Sequence, residues 1–424
     1  MPTEVEIALK HALEWQRFDA ELVHCLIRQV FSTNALPTST AIDFERTPDG
    51  RIRLPPPIID HVDIATFDEL RDGESGSVIV NATPKAADHA NEVSVVLKFC
   101  PIESFSSELR NFVRYVKWTL PYAWRVDVLG AGRAGKYGVI GYSLAFAGSS
   151  KSYPMSRFLN EGDSAPILTF ISNVFDETRK VWYRNPKEVS EDDLLSRLTK
   201  RYFKSGQSRN RVVDKALDAI QKTTSFRAWP SMESQTQKRL ILKRLIDRIF
   251  FRPCKLYKIC ICHGDLHGGN IMVSENKKDM VFIDFQDTGH HHVFTDFVFF
   301  ENALRKDGRL MYPDDMGRAI SDEREEISLC FSLSATDEPP FTPDSEASTL
   351  SLIRATRFKA FKNFPTEDRF HYFLHSLVLV ILMFRNEKLE DAARERLAAF
   401  FIACAEQLVE RIGEHDESIA SYGK

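Results

Sequence analysis

The strand-forming residues of this 424-residue chain are crowded into one stretch. Over residues 65–148 the runs "ATFDEL", "SGSVIVNAT", "EVSVVLKFC", "WRVDVLG" and "KYGVIGYSLAF" are β-branched, aromatic or alternating, and Gly, Pro and Asn turns separate them. One helical pattern interrupts them. In "SELRNFVRYVKWTL", Leu109, Phe112, Val113 and Val116 recur at i, i+3, i+4 and i+7. Beyond Gly148 the periodicity is helical almost to the end, apart from two short apolar runs within "CHGDLHGGNIMVSENKKDMVFIDF" (Cys262–Phe285). This order predicts an α+β, bilobal chain: a small antiparallel sheet with one helix over 61–147, then a larger, mostly helical lobe over 148–424. Residues 5–31 read as an amphipathic helix or helix pair, through Leu13, Phe18, Leu22, Cys25, Leu26 and Val30. Pro55, Pro56 and Pro57 bar regular structure after it. Residues 1–60 are therefore expected to be a helical extension and Pro-rich linker appended to the sheet lobe.

With 43% hydrophobic residues the chain can bury a large core. Its longest apolar run, Phe373 to Phe384, is too short to cross a bilayer and fits a core helix. The charged N-terminus lacks a secretory apolar segment. Seven scattered cysteines suggest no disulfide framework. A cytoplasmic protein with no membrane partner is the expectation; oligomeric state is not written in these features.

The polar segment carries the chemistry. "NIMVS" and "MVFIDF" read as strands of a hairpin joined by "ENKKD". A hairpin sets the start of its first strand beside the end of its second, which would gather Asn270, Asp284 and nearby Asp265. An amide oxygen and a carboxylate together suit Mg²⁺, a hard cation that prefers oxygen. Asp265 could then accept a proton from a hydroxyl, which completes the equipment for phosphoryl transfer. Taken singly, each of these residues is as well explained as a turn cap.

"HGDLHGGN" (His263–Asn270) followed by "IDF" (Ile283–Phe285) resembles the motifs of the aminoglycoside phosphotransferase and choline kinase-like branch of the protein-kinase-like fold. Gly264 stands where protein kinases carry Arg, and Gln286 where they carry Gly. The resemblance implies a bilobal kinase-like fold using ATP and Mg²⁺, with Asp265 as catalytic base and Asn270 and Asp284 as metal ligands. It implies a structural role for His263, and Asp296 bracing the catalytic loop. It also demands a strand lysine and a helix glutamate upstream, and Lys98 and Glu108 meet the demand, with Glu103 the competitor for the second place. Gly73 and Gly76 would form the turn over the phosphates. Ser143, Leu144, Ala145 and Phe146, in the stretch running to Gly148, would contact adenine. The acceptor would be an unidentified hydroxyl.

Other signals read as structural. Gly130, Gly132 and Gly135 match G-x-G-x-x-G, but a strand follows where a dinucleotide site needs a helix, so a turn between strands is expected. Cys254, Cys260 and Cys262 lack a second ligand pair at zinc-site spacing and read as core. His290–His292 read as a polar loop, with metal or anionic-substrate binding as the other options. From Arg197 to Lys258 there are 17 Lys and Arg against 4 Asp and Glu, in a chain of net charge −4. Such a region either is a solvated face or attracts an anionic partner. Three readings remain open: a phosphotransferase, a kinase-like regulatory module that does no chemistry, and a nucleotidyl transferase with ATP reversed.

Overall fold

The computed structural model describes residues 6–9, 20–32, 61–66, 77–85, 95–146, 152–161, 163–203, 208–230, 234–308, 315–332, 348–386 and 389–422. The chain divides into two compact units, Met1–Ser152 with Asp279–Thr288, and Tyr153–Lys278 with Gly289–Lys424. The architecture is bilobal and protein-kinase-like: antiparallel sheet with helix in the N-terminal unit, mostly helix in the other.

In the first unit β1 (Glu6–Leu9), α1 (Ala20–Ser32), β2 (His61–Thr66), β3 (Val78–Lys85), β4 (Val95–Pro101), α2 (Ile102–Asn111), β5 (Val128–Ala134) and β6 (Tyr137–Ser143) follow one another. The six strands form one sheet in the order β1-β2-β3-β4-β6-β5, antiparallel except for the β1–β2 pair. Val80, Leu97, Phe99 and Val139 build its core together with Val23, Leu26, Ile27 and Val30 of α1. Of the expected appendage, the Pro-rich linker read over residues 33–60 lies outside the described residues, whereas β1 pairs into the sheet and α1 packs on its core. Two glycines make this possible. A Cβ on Gly130 would lie 2.3 Å from the Val30 carbonyl oxygen, and one on Gly132 would lie 2.9 Å from that of Leu26. Only a strand without side chains at these points lets the helix backbone come so close. Gln29 then clamps the edge, donating to the Arg133 carbonyl (3.0 Å) and accepting from its N–H (2.7 Å). Of the three glycines read as a turn, only Gly135 occupies one, at φ +58°.

Helix α2 buries Phe105 and Glu108, and the wider helical turn Phe112–Val116 that continues it buries Phe112 and Val116, while Val113 is 46% exposed. The expected inner face was therefore turned by about one residue. Glu108 takes an inner place because it finds a cation and a hydroxyl there. Residues 279–288 join this unit through a parallel bridge of Phe282 to Arg125 and Phe112–Phe285 ring contact at 5.7 Å. The Gln286 carbonyl also accepts from Asn111 Nδ2 at 2.6 Å and from Ser107 Oγ at 3.3 Å.

The second unit contains a three-stranded antiparallel sheet, with β8 (Tyr257–Cys262) between β7 (Lys187–Val189) and β9 (Gly289–His292). His290–His292 thus belong to an edge strand rather than a loop. The helices used below are α3 (Leu194–Tyr202), α4 (Thr295–Asp307), α5 (Met316–Ser332), α6 (Thr349–Asn363), α7 (Arg369–Met383) and α8 (Asp391–Tyr422). Every residue of α7 from Phe370 to Ile381 is buried, as a helix apolar on all sides requires. Among the described residues, no helix is long and apolar enough to cross a membrane. Cys254, Cys260 and Cys262 are buried free thiols.

Candidate active site

Strand β4 alternates, so Leu97 and Phe99 face the core with α1 while Lys98 projects the other way. Its Nζ lies 2.8 Å from Glu108 Oε2 and 2.9 Å from Asp284 Oδ2. Tyr142 on β6 donates its hydroxyl to the other Glu108 oxygen at 2.5 Å. The Glu108 side chain is wholly enclosed and that of Lys98 nearly so, while Asp284 keeps 35% of its side chain exposed. The ammonium is therefore enclosed, and of Glu108 and Asp284 only Asp284 reaches solvent. Burial alone would push the Lys98 ammonium down, but the Glu108 and Asp284 charges outweigh it and raise its pKa above the ordinary lysine value. Asp284 holds the left-handed backbone, φ +60°, sparsely populated by residues other than Gly, Asn and Asp.

The motif His263–Asn270 belongs to the second unit and is held from behind by Asp296, the second residue of α4. This fully buried carboxylate accepts the N–H of His263 (2.9 Å), the N–H of Gly264 (2.9 Å) and the hydroxyl of Tyr183 (2.8 Å). Burial pushes the Asp296 carboxyl up despite these donors. Gly264 has φ +87°, which accounts for a glycine where protein kinases carry arginine. Its carbonyl accepts from Arg201 Nη2 of α3 at 2.9 Å, and the other arm of that guanidinium meets the His291 ring at 2.5 Å.

Asp265 is half-exposed at the turn. Asn270 donates Nδ2 to the Asp265 carbonyl (2.8 Å) and to its carboxylate (3.3 Å), which leaves Asn270 Oδ1 as the atom able to meet a cation. His267 accepts the Gly269 N–H on Nδ1 (3.0 Å) and sets Nε2 3.6 Å from Asp265 Oδ2. Partial burial would raise the Asp265 carboxyl; the nearby His267 imidazole outweighs it and holds it below the usual range.

The first unit thus brings together Lys98, Glu108 and Asp284, and the second brings together Asp265 and Asn270. Glu103 is exposed in the first turn of α2. Ser143 ends β6, accepting the Asp127 N–H on its hydroxyl at 2.9 Å, and Leu144, Ala145 and Phe146 follow half-buried. Gly73 and Gly76 lie outside the described residues. Sequence reasoning missed Tyr142, His267 and Arg201. His267 stood inside the quoted motif, but Arg201 was hidden in the basic stretch. Much of that stretch is spent internally. Besides Arg201, Arg197 donates to the His290 carbonyl, Lys238 to that of Trp229, Arg239 to Asp218 and Lys243 to Asp247.

Residues 208–329 match the phosphotransferase enzyme family APH. No curated protein matches the chain. Among solved structures the chain is similar to the choline kinase of Streptococcus pneumoniae, at 11% identity over 82% of this chain and 93% of that one, TM-score 0.34. It is similar to an ethanolamine kinase of Plasmodium vivax at 11% identity, over 81% and 82%, TM-score 0.32. It is also similar to an aminoglycoside phosphotransferase of Streptomyces rimosus at 18% identity, over 70% and 92%, TM-score 0.29.

Proposed function

We propose that this chain is an ATP- and Mg²⁺-dependent phosphotransferase that moves the γ-phosphate to a hydroxyl acceptor. The observation that carries the reading is the buried lysine held between a sealed glutamate and a half-open aspartate. Breaking a buried ion pair costs about 3–5 kcal/mol, so Glu108 fixes Lys98 in place beside Asp284, the partner that reaches solvent. Lys98, oriented by Glu108 and Tyr142, holds the α- and β-phosphates. Asp284 and Asn270 Oδ1 are the oxygen donors for Mg²⁺, which supplies charge neutralisation on the phosphates when bound. Asp265 orients the acceptor hydroxyl and takes its proton, and the Asp296 brace keeps the loop from moving as that charge shifts. Ser143 to Phe146 contact adenine, with Gly73 and Gly76 over the phosphates. The exposed cations of 197–258 among the described residues, such as Arg209 and Arg211, are the ones available to an anionic acceptor.

The test is transfer of label from γ-labelled ATP into cell extract, fractionated into small-molecule, nucleic-acid and protein pools. Mg²⁺-dependent label in one pool is expected and names the acceptor class. ATP bound but label in no pool would instead support the regulatory reading. Label transferred from α-labelled ATP would support the nucleotidyl one.

Arg201 carries a separate prediction. It supports the loop backbone and His291, so Arg201→Ala should slow transfer about tenfold, near 1.4 kcal/mol of barrier, with ATP affinity unchanged. Steady-state kinetics beside nucleotide titration checks this, and a changed ATP affinity at constant kcat would contradict it.

A further inference from the structure

Three residues from two distant parts of the sequence converge in the second unit, outside the groups assigned to phosphoryl transfer. His292 ends β9, Glu367 lies in the turn before α7, and His371 lies in the first turn of α7. Glu367 Oε1 is 3.1 Å from His292 Nε2 and 2.8 Å from His371 Nδ1, and the three ligand atoms lie within 4.8 Å of one another. All three residues are buried. Among the described residues no lysine or arginine forms an ion pair with Glu367, whose charge meets only two imidazoles. A buried carboxylate that shares one oxygen between two imidazoles is the arrangement a bound metal ion would take over, since buried charges are paired or bound to metal.

We infer that His292, Glu367 and His371 form a binding site for a divalent transition metal of the zinc class. Two imidazole nitrogens and one carboxylate oxygen suit zinc, whereas magnesium and calcium prefer all-oxygen sets. Bond lengths of about 2.0–2.2 Å set tetrahedral ligand atoms about 3.3–3.6 Å apart. The two observed separations need to open by about 0.2–0.8 Å, and the two imidazole nitrogens, within 4.8 Å of each other, settle at the same spacing. On loading, each imidazole–carboxylate hydrogen bond is exchanged for a metal bond, and the ring proton moves to the other nitrogen. Glu367 and His371 also line a cavity of about 490 Å³ with Arg252, Lys255 and Lys258, which gives the ion a way in and its fourth position a water. The site ties β9 to α7. Because β9 pairs with β8, which runs from Cys262 into His263, the metal braces the strand that precedes the polar loop. None of this depends on the proposed phosphoryl transfer.

The experiment uses the full chain, stripped with chelator, dialysed against Zn²⁺ and washed, with metal read by mass spectrometry and melting followed with and without Zn²⁺. One equivalent retained and a raised Tm are expected, both lost in Glu367→Gln and His371→Gln. Far-ultraviolet circular dichroism establishes that the variants fold. Cobalt-loaded wild-type chain provides a readout free of mutation: visible bands of a tetrahedral site without a thiolate charge-transfer band. Wild-type chain that retains no zinc, zinc retained equally by folded variants, or a thiolate band placing the ion on the cysteines would each overturn the assignment.

Discussion

Asp265→Asn should lower the rate of phosphoryl transfer by about 10²–10⁴-fold, the usual contribution of a positioned general base. That is about 2.7–5.4 kcal/mol of transition-state stabilisation. The substitution preserves size and leaves the loop's supports in place. The Asn270 bond to the residue 265 carbonyl and the Asp296 bonds to the backbone of residues 263 and 264 do not involve the altered side chain. What is lost is an anion able to take a proton. The loss should fall on kcat, with nucleotide affinity and Tm near the wild-type values. Initial rates of label transfer from ATP, paired with nucleotide titration, measure it. A variant within threefold of wild type would remove Asp265 from the chemistry and leave the Lys98 cluster to be explained as structure.

The largest stability effect should come from Glu301→Ala, far from that loop. Glu301 on α4 accepts from Arg305 Nη1 at 2.6 Å, from Arg357 Nε at 3.0 Å and Nη2 at 2.8 Å, and from the Tyr372 hydroxyl at 2.5 Å. These groups come from α4, α6 and α7, and Glu323 of α5 completes the set at 2.8 Å from Arg305 Nε. Both arginines are fully buried. Deleting the shared carboxylate leaves two enclosed guanidinium groups to one remaining acid. The expected cost is about 3–5 kcal/mol, seen as a lower urea midpoint. Burial would raise the Glu301 carboxyl, but Arg357 and Arg305 outweigh it and hold the pKa below the ordinary value. Its contribution is therefore present above the unfolded pKa of about 4.3 and is lost as pH falls through the depressed folded pKa. Glu301→Gln should flatten that acid limb. A midpoint shift below about 1 kcal/mol for the alanine variant would show that the cluster is relaxed by water.

What the sequence made legible was local. The alternation in "VSVVLKFC" and "KYGVIGYS" announced β4 and β6, because strand faces repeat every second residue. The resemblance carried by "HGDLHGGN" and "IDF" pointed to Lys98, Glu108, Asp265, Asn270 and Asp284. What escaped depended on partners far along the chain. Helix α1 belongs to the sheet because Val30 and Leu26 meet glycines about a hundred residues later, and nothing near residue 30 records that. The same glycines were read as a turn for want of the helix that needs them bare. Arg201 passed for surface charge since Gly264 and His291 lie far downstream. His292 passed for a loop residue, although Glu367 awaits it in the folded chain.

The discontinuity of the sheet unit has a consequence for how the protein is made. During synthesis, α1 emerges long before β5 and β6, so its apolar face waits for the strands it will cover. Even then Lys98 has only Glu108 as a partner, because residues 279–288 arrive after the whole of Tyr153–Lys278 has been translated. At 5–20 residues per second that delay is about 6–25 s. The first unit to leave the ribosome is thus completed only after nearly half of its successor has been made, and the nascent chain must stay shielded from its neighbours through that interval.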